Sequence, residues 1–539
     1  MGLSSRLLAR VVGEGSPMRR RVRLAALALC VSVVVACSSG AGDSGSIRVA
    51  DVELKVAIPA DTTSVEGDRA NVGVGSPNAG IYETLLRMDN QLQVRPGLAE
   101  SYEFIAPNTW RFKLRQGVMF HDGSELSAQD VVFTFDRYGR IGGQYIKAQV
   151  GGTVAVDKYT VDFTSSVPNL KVPLQMVHPI FGIKKAGSDP ARKPVGTGSF
   201  KFVSYQPKES LAVERFDGYW DQPNKAKPKS ITFRYIPDAN ARLLALQAGD
   251  VDIIQDAPLE QLEAIRADNR IKIVSSPVGA YEALSVNIGG ENGTGVTQSL
   301  AVRQAIAKGI DRAQIVETIY GGLAETGRSM VPLAVLGPAA SQVSGGPSYD
   351  PDGAKRLLES DGWVLDAAGI YQKDGQPLTL TLVSGFPSPD VHRPLPEALQ
   401  QQLRKIGADV TIVEASDYDD ALAKTAGHLY LEKGNQNDAD PAFLPRLFAS
   451  TALEPDSDYG RLFGPGAAAD QLIVAARETR ELDQLRDLSA KTLRELHDVS
   501  VTIIPIAGLT NVWAVRQPVE GFAPHSAFVH TSYASVTKS

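Results

Sequence analysis

At 539 residues the chain is long enough for two to four domains. Its 43% hydrophobic and 22% charged content is that of an ordinary soluble protein, which excludes disordered, collagen-like and polytopic membrane architectures. The formal charge is −6, but residues 1–36 hold six arginines and one glutamate, a net of +5, so the remainder carries −11. A body that acidic has no electrostatic means of gripping a phosphate backbone, and nucleic acid is excluded as a partner.

The first element is a leader. Arg19, Arg20, Arg21 and Arg23 precede Leu24–Ala36, thirteen residues without a charge. A basic stretch, a short apolar run and small residues make a secretory signal, too short for a membrane-spanning helix. Met18, directly before the arginines, is a more typical start than Met1. The run closes on Val34-Val35-Ala36-Cys37-Ser38-Ser39-Gly40 and resembles a bacterial lipobox, in which Cys37 becomes the lipidated N-terminus. Of the two cysteines, Cys30 lies inside the signal core, so no disulfide is expected. Residues 37–46 read as the lipid-anchored tether, with the small, polar Ala41–Ser46 as its flexible part.

Beyond residue 46, helix-like and strand-like stretches alternate, an α/β organisation. Ile231–Ile236 alternates large apolar with polar residues, the pattern of a half-buried strand. Val302, Ala305, Ile306 and Ile310 keep helical spacing. Asp350-Pro351 is a cap and first-turn pair for a helix with Leu357 and Leu358 on its apolar side, ending at Gly362. Leu395, Leu399, Leu403 and Ile406 stop at Gly407. A last helix near Glu481–Leu496 carries Leu482, Leu485, Leu493 and Leu496. No repeat of 20–50 residues is visible, which removes solenoids and propellers.

Catalytic signatures are absent: there is no G-x-S-x-G, H-E-x-x-H or C-x-x-C. Seven histidines are dispersed, and His525 and His530, five apart, do not share a helical face, so neither a metal site nor a cofactor is expected. Gly322–Ser329 approximates a phosphate-binding loop but has Arg328 where that chemistry uses Lys, and it follows a helix rather than a strand. Phe120-His121-Asp122-Gly123 reads as a tight turn whose side chains bond its own backbone. Arg303, Asp311 and Arg312 read as helix-face and capping groups.

Several segments together resemble the extracytoplasmic solute-binding proteins of ABC importers, in the large peptide/nickel/opine family. They are Ile81–Leu86 with Arg95–Tyr102, Trp110–Gly123 with Asp130–Phe133, Pro194–Phe200, Ala245–Asp252, Val302–Ile306 with Ile310–Arg312, and Tyr349–Pro351 with Gly362-Trp363. The resemblance implies a two-lobe periplasmic-binding-protein type II fold with an extra subdomain in lobe one. Crossing strands are then expected near Leu284–Asn287 and Ile503–Leu509, lobe one at 47–283 and 510–539, and lobe two at 284–509. It also implies a monomer that binds a peptide or other small-molecule cargo, closes on it by hinge bending, and delivers it to ABC transporter permease subunits at the outer face of the cytoplasmic membrane.

In dipeptide and oligopeptide binders of this family, an Asp three residues before the acidic residue of an Asp-Pro or Glu-Pro pair takes the peptide ammonium. Here Asp440-Pro441 sets the register and the equivalent is Asn437, with Asp438 one residue later. The Arg that holds a dipeptide carboxylate corresponds by helix register to Phe386, with His392 and Arg393 several residues on. Losing both charge-assisted anchors disfavours a free dipeptide. Asn435, Gln436 and Asn437 offer amide groups suited to a neutral polar cargo, and Asn71, Val72, Gly73 and Val74 fall where the resemblance puts a backbone strip facing the ligand. The expected cargo is a longer, capped or cyclic peptide. The alternative is a non-peptide such as a metal chelate, opine or oligosaccharide. A lipid-anchored hydrolase and a regulatory protein that kept the fold are the readings from other classes.

Overall fold

A computed structural model describes residues 52–62, 64–66, 79–106, 108–141, 152–165, 171–289, 295–385, 394–415, 418–424, 427–451, 453 and 458–539. Cys37, Asn71, Val72, Gly73, Val74, Phe386, His392 and Arg393 lie outside the described residues.

Two mixed sheets organise two lobes. The first has seven strands in the order Ile271–Ser275, Val512–Arg516, Ile253–Gln255, Glu53–Ile58, Ser230–Tyr235, Ser210–Arg215 and Phe200–Gln206. Glu53–Ile58 runs parallel to both of its neighbours and the other pairs are antiparallel. The expected strand is there: Ile231, Phe233 and Tyr235 are buried and the residues between them are not. The second sheet has six strands in the order Ala324–Thr326, Ile503–Leu509, Ala280–Val286, Leu429–Asn435, Thr379–Ser384 and Asp409–Glu414. Between Glu53–Ile58 and Phe200–Gln206 the chain builds a separate four-stranded sheet, Ala99–Ala106, Thr109–Leu114, Thr160–Thr164 and Gly152–Ala155, with the helix Ala128–Ile141. This is the extra subdomain.

Helices seal the second sheet where the spacing placed them. Pro394–Lys405 buries Leu395, Leu399 and Leu403 completely, and Gly407 reverses the chain at φ +82°. Pro351–Ser360 is capped by the Asp350 carboxylate, which accepts from the Gly353 amide at 2.8 Å. Leu300–Gly309 buries Val302, Ala305 and Ile306. Leu482–Arg494 passes into a π turn at Glu495–Val499.

Two local expectations change, for His121 and Arg303, and the others hold. Gly322–Ser329 contains the strand Ala324–Thr326, paired with Leu509, Gly508 and Ala507, so its backbone serves a sheet rather than a phosphate. Asp122 does close its own turn, accepting from the Ser124 amide and hydroxyl. His121 instead reaches a remote segment, donating through Nε2 to the Gly198 carbonyl at 2.9 Å and accepting from the Gly196 amide at 3.3 Å. Asp311 is a helix cap, whereas Arg303 is buried and ties three carbonyls, of Thr297, Gln298 and Ser500.

The chain leaves the first sheet after Ser275 and enters the second at Ala280; it leaves the second after Leu509 and re-enters the first at Val512. Leu284–Val286 and Ile503–Leu509 are therefore strand residues of the second sheet. The two connections are laced together. The Ser276 amide donates to the Asn511 carbonyl at 3.0 Å, and the Asn511 amide to Ser276 Oγ at 2.9 Å. Gly279 is required here, because a Cβ would stand 1.8 Å from the Ser526 carbonyl oxygen.

Candidate functional site

The strand Leu429–Asn435 is interior to the second sheet, and its last residue pairs with Ala280, next to the connection just described. Beyond it the Gln436 amide donates to the Gly279 carbonyl at 3.0 Å, so the loop that follows starts at the hinge. The Gln436 side chain is fully buried and organises that loop. Its Nε2 donates to the Asp438 carbonyl and to Asp438 Oδ1, both at 3.0 Å, and to the Asp440 carbonyl at 3.1 Å. Asp438 Oδ1 also accepts the Asp440 amide at 3.0 Å, and Asp440 Oδ1 accepts the Ala442 amide at 3.0 Å. Both carboxyls point into protein, at 3% and 0% exposure. Burial, with Asp440 next to it, pushes the Asp438 carboxyl up to about 8. Among the described residues, Gln436 Oε1 and Asn437 Oδ1 meet no hydrogen-bond donor.

The other side of this loop is made by the first lobe. The short helix Lys171–Gln175 presents the Leu174 carbonyl to the Ala439 amide at 3.0 Å and the Gln175 amide nitrogen to Asp440 Oδ2 at 3.3 Å. Lys171, also buried, is pushed down by burial and held up by Asp440. His530, from the C-terminal segment, donates through Nε2 to the Asn437 carbonyl at 2.9 Å. Its ring lies 5.1 Å from that of His525, which donates to the Met88 carbonyl and accepts from the Ala527 amide. Burial and the neighbouring imidazole hold His530 near 3, so it acts as a neutral donor. The apolar packing is equally continuous, with Leu174, Met176 and Val177 in one buried cluster with Ala439, Ala442 and Leu444.

A second group stands on the signature Tyr82-Glu83. The Glu83 carboxylate accepts from Thr197 Oγ1 at 2.9 Å, Tyr219 OH at 2.8 Å and Trp220 Nε1 at 2.8 Å. Burial raises its pKa and these three donors oppose the rise. A cavity of about 230 Å³ opens beside it, lined by Tyr82, Glu83, Arg87, Tyr219, His530 and Ser532 among others. At the hinge, Asp256 sits at φ +50° and is raised by burial, with Lys433 of the second sheet and Arg242 pulling it back.

Of the residues singled out from sequence, Asn435, Gln436, Asn437 and Asp438 thus lie together where the two lobes meet. Lys171, Gln175 and His530 were missed. They come from 90 to nearly 270 residues away on either side and carry no local pattern that marks them. His525 and His530 meet despite their unsuitable helical spacing, because the chain between them is a loop and a 3-10 turn. Among the described residues no three His, Cys, Asp or Glu are grouped to hold a metal ion.

Comparison with known proteins follows the same lines. Residues 93–456 match the model of the bacterial extracellular solute-binding proteins, family 5 middle region. The glutathione-binding protein GsiB of Pectobacterium atrosepticum is 27% identical over 453 residues, 79% of this chain and 83% of that one. NikA from Brucella suis in complex with Fe(III)-EDTA superposes with a TM-score of 0.78 at 22% identity, covering 91% of this chain and all of that one. DppA from Helicobacter pylori in complex with the peptide STSA superposes at 0.68 and 22% identity, covering 90% and 98%.

Proposed function

The chain belongs to the bacterial extracellular solute-binding proteins of family 5 and is a substrate-binding receptor for ABC import, and from that premise we propose that its cargo is peptide-like and held chiefly by neutral hydrogen-bonding groups. Lobe one on this reading is 52–275 with 512–539, and lobe two 280–509. The receptor works as a monomer, anchored by a lipid on Cys37, and it returns its cargo unchanged.

The observation that carries the cargo reading is the orientation of the loop after Asn435. The carboxyl one place from the family's ammonium-binding position, Asp438, is turned inward and engaged by the Gln436 amide and the Asp440 backbone. What is left without a partner in the loop, among the described residues, is amide chemistry, Gln436 Oε1 and Asn437 Oδ1. Amides recognise a backbone or a capped terminus and supply no charge-assisted anchor for a free one. The glutathione named for the Pectobacterium relative, itself a tripeptide, is in keeping with a peptide-like cargo.

The test is native mass spectrometry of the protein from Ser38 onward, purified without added ligand, then denaturing release of whatever it carries. Released peptides, free of a single fixed mass, support the reading. One non-peptide mass, such as a metal chelate, opine or oligosaccharide, replaces it. An enzyme would be exposed by turnover of the released compound on incubation with fresh protein.

A further inference from the structure

The loop Gln436–Asp440 belongs to the second lobe in sequence, yet part of its burial comes from the first. The Leu174 carbonyl covers the Ala439 amide and the Gln175 side chain covers Asp440 Oδ2. Both lie on the short helix that also carries Lys171. Parting the lobes would break both contacts, uncovering Asp440 Oδ2 and, with it, the loop that carries Asp438. The charged groups around the pair can be named from each element packed on it. Arg446 comes from the turn Pro445–Phe448 of the same lobe and Lys171 from the opposite lobe, while Arg477 of the helix Ala467–Glu478 acts on Lys171. His530 reaches the adjoining Asn437 carbonyl as a neutral group.

We infer that this loop is a proton-linked latch: closing the two lobes draws one proton onto the Asp438 carboxyl, and opening them releases it.

The physical basis is that a carboxylate is stable in water and costly in a closed interface beside a second carboxylate. The sign follows from linkage. In the open form Asp438 titrates in the ordinary range near 3.9, and in the closed form it is raised to about 8. The contribution to closure is full below the lower value, declines across the interval, and is gone once pH exceeds the upper one. Between the two, the closed-to-open ratio changes by up to tenfold per pH unit, the limit for one proton. The inference rests on two-lobe closure and not on the nature of the cargo.

Small-angle X-ray scattering on the cargo-stripped protein from pH 5 to pH 9 tests it, so a wrong assignment of cargo leaves the result intact. The wild-type radius of gyration is expected to be smallest at pH 5 and to grow as pH rises toward 8 and beyond. Asp438→Asn, which keeps the shape of the protonated acid, is expected to remain compact at pH 9. Lys171→Met is expected to keep the pH response, and Gln175→Ala to open at a lower pH. A wild-type radius independent of pH, whether compact or expanded, overturns the inference without recourse to any variant. So does a response that survives Asp438→Asn and disappears in Lys171→Met. Near-ultraviolet circular dichroism establishes that each variant is folded before it is compared.

Discussion

Two buried carboxyls, Glu83 and Asp438, show how differently the same group behaves in two regions of this molecule. Both are raised by burial. Glu83 accepts from Thr197, Tyr219 and Trp220, all on segments of the first lobe, so its donors stay with it when the lobes part. Asp438 sits in a loop whose cover is divided between the lobes. A buried acid supported within one body is scaffold. One whose burial depends on two bodies is coupled to their motion.

The largest effect expected concerns the fold as a whole and runs opposite to the latch. His121 and His178 are held near 4 by burial, and His497 and His530 near 3. A histidine whose folded value lies below its unfolded value near 6.5 stabilises fully above 6.5 and loses that contribution as pH falls toward the folded value. By the size of these shifts each is worth up to about 3–5 kcal/mol, so the unfolding midpoint should drop steeply between pH 6.5 and 4. Over the same interval the lobes should be most closed. Calorimetry and scattering on the same samples would separate the two, and a midpoint flat from pH 7 to 4 would contradict the neutral burial of these imidazoles.

Glu83→Ala comes next. It strands a hydroxyl, a phenol and an indole N–H inside the first lobe, which at about 1–3 kcal/mol for each unsatisfied group should cost about 3–9 kcal/mol in denaturant unfolding. The pH response of the radius of gyration should be untouched. Should Glu83→Ala shift that response instead, the two carboxyls are not independent and the comparison breaks. Smallest is Asp438→Asn at pH 4, expected within about 1 kcal/mol of wild type, because an amide there replaces an acid that takes up little charge difference between the folded and unfolded chain. Its effect on unfolding should grow into a stabilisation as pH rises from 4 toward 8, because wild-type folding must then protonate a carboxyl that is ionised in the unfolded chain, and should level off above 8.

The helix Pro394–Lys405 was legible in advance because Leu395, Leu399 and Leu403 repeat at the pitch of one helical face, and Gly407 ends the run at a backbone angle that glycine adopts freely. The strand Ser230–Tyr235 was legible for the corresponding reason in period two. His121 shows where such reading stops. Its place in a Phe-His-Asp-Gly turn was plain, but its partners at Gly196 and Gly198 lie more than seventy residues on. The site divides in the same way. Asn435–Asp438 could be found from the register of Asp440-Pro441, whereas nothing near Lys171 or Gln175 announces that they close over it.

The amino-acid sequence by itself determined the acidic body, the alternation of helix and strand, and the family. Each depends on composition or on spacing along a few turns of chain. Only the tertiary structure decided that Asp438 faces inward, that His530 meets Asn437, and that the first lobe completes the burial of a second-lobe loop. The last two are set by contacts between residues more than 90 positions apart, and the free energy of a buried charge depends on what surrounds it in space, which the order of residues along the chain does not state.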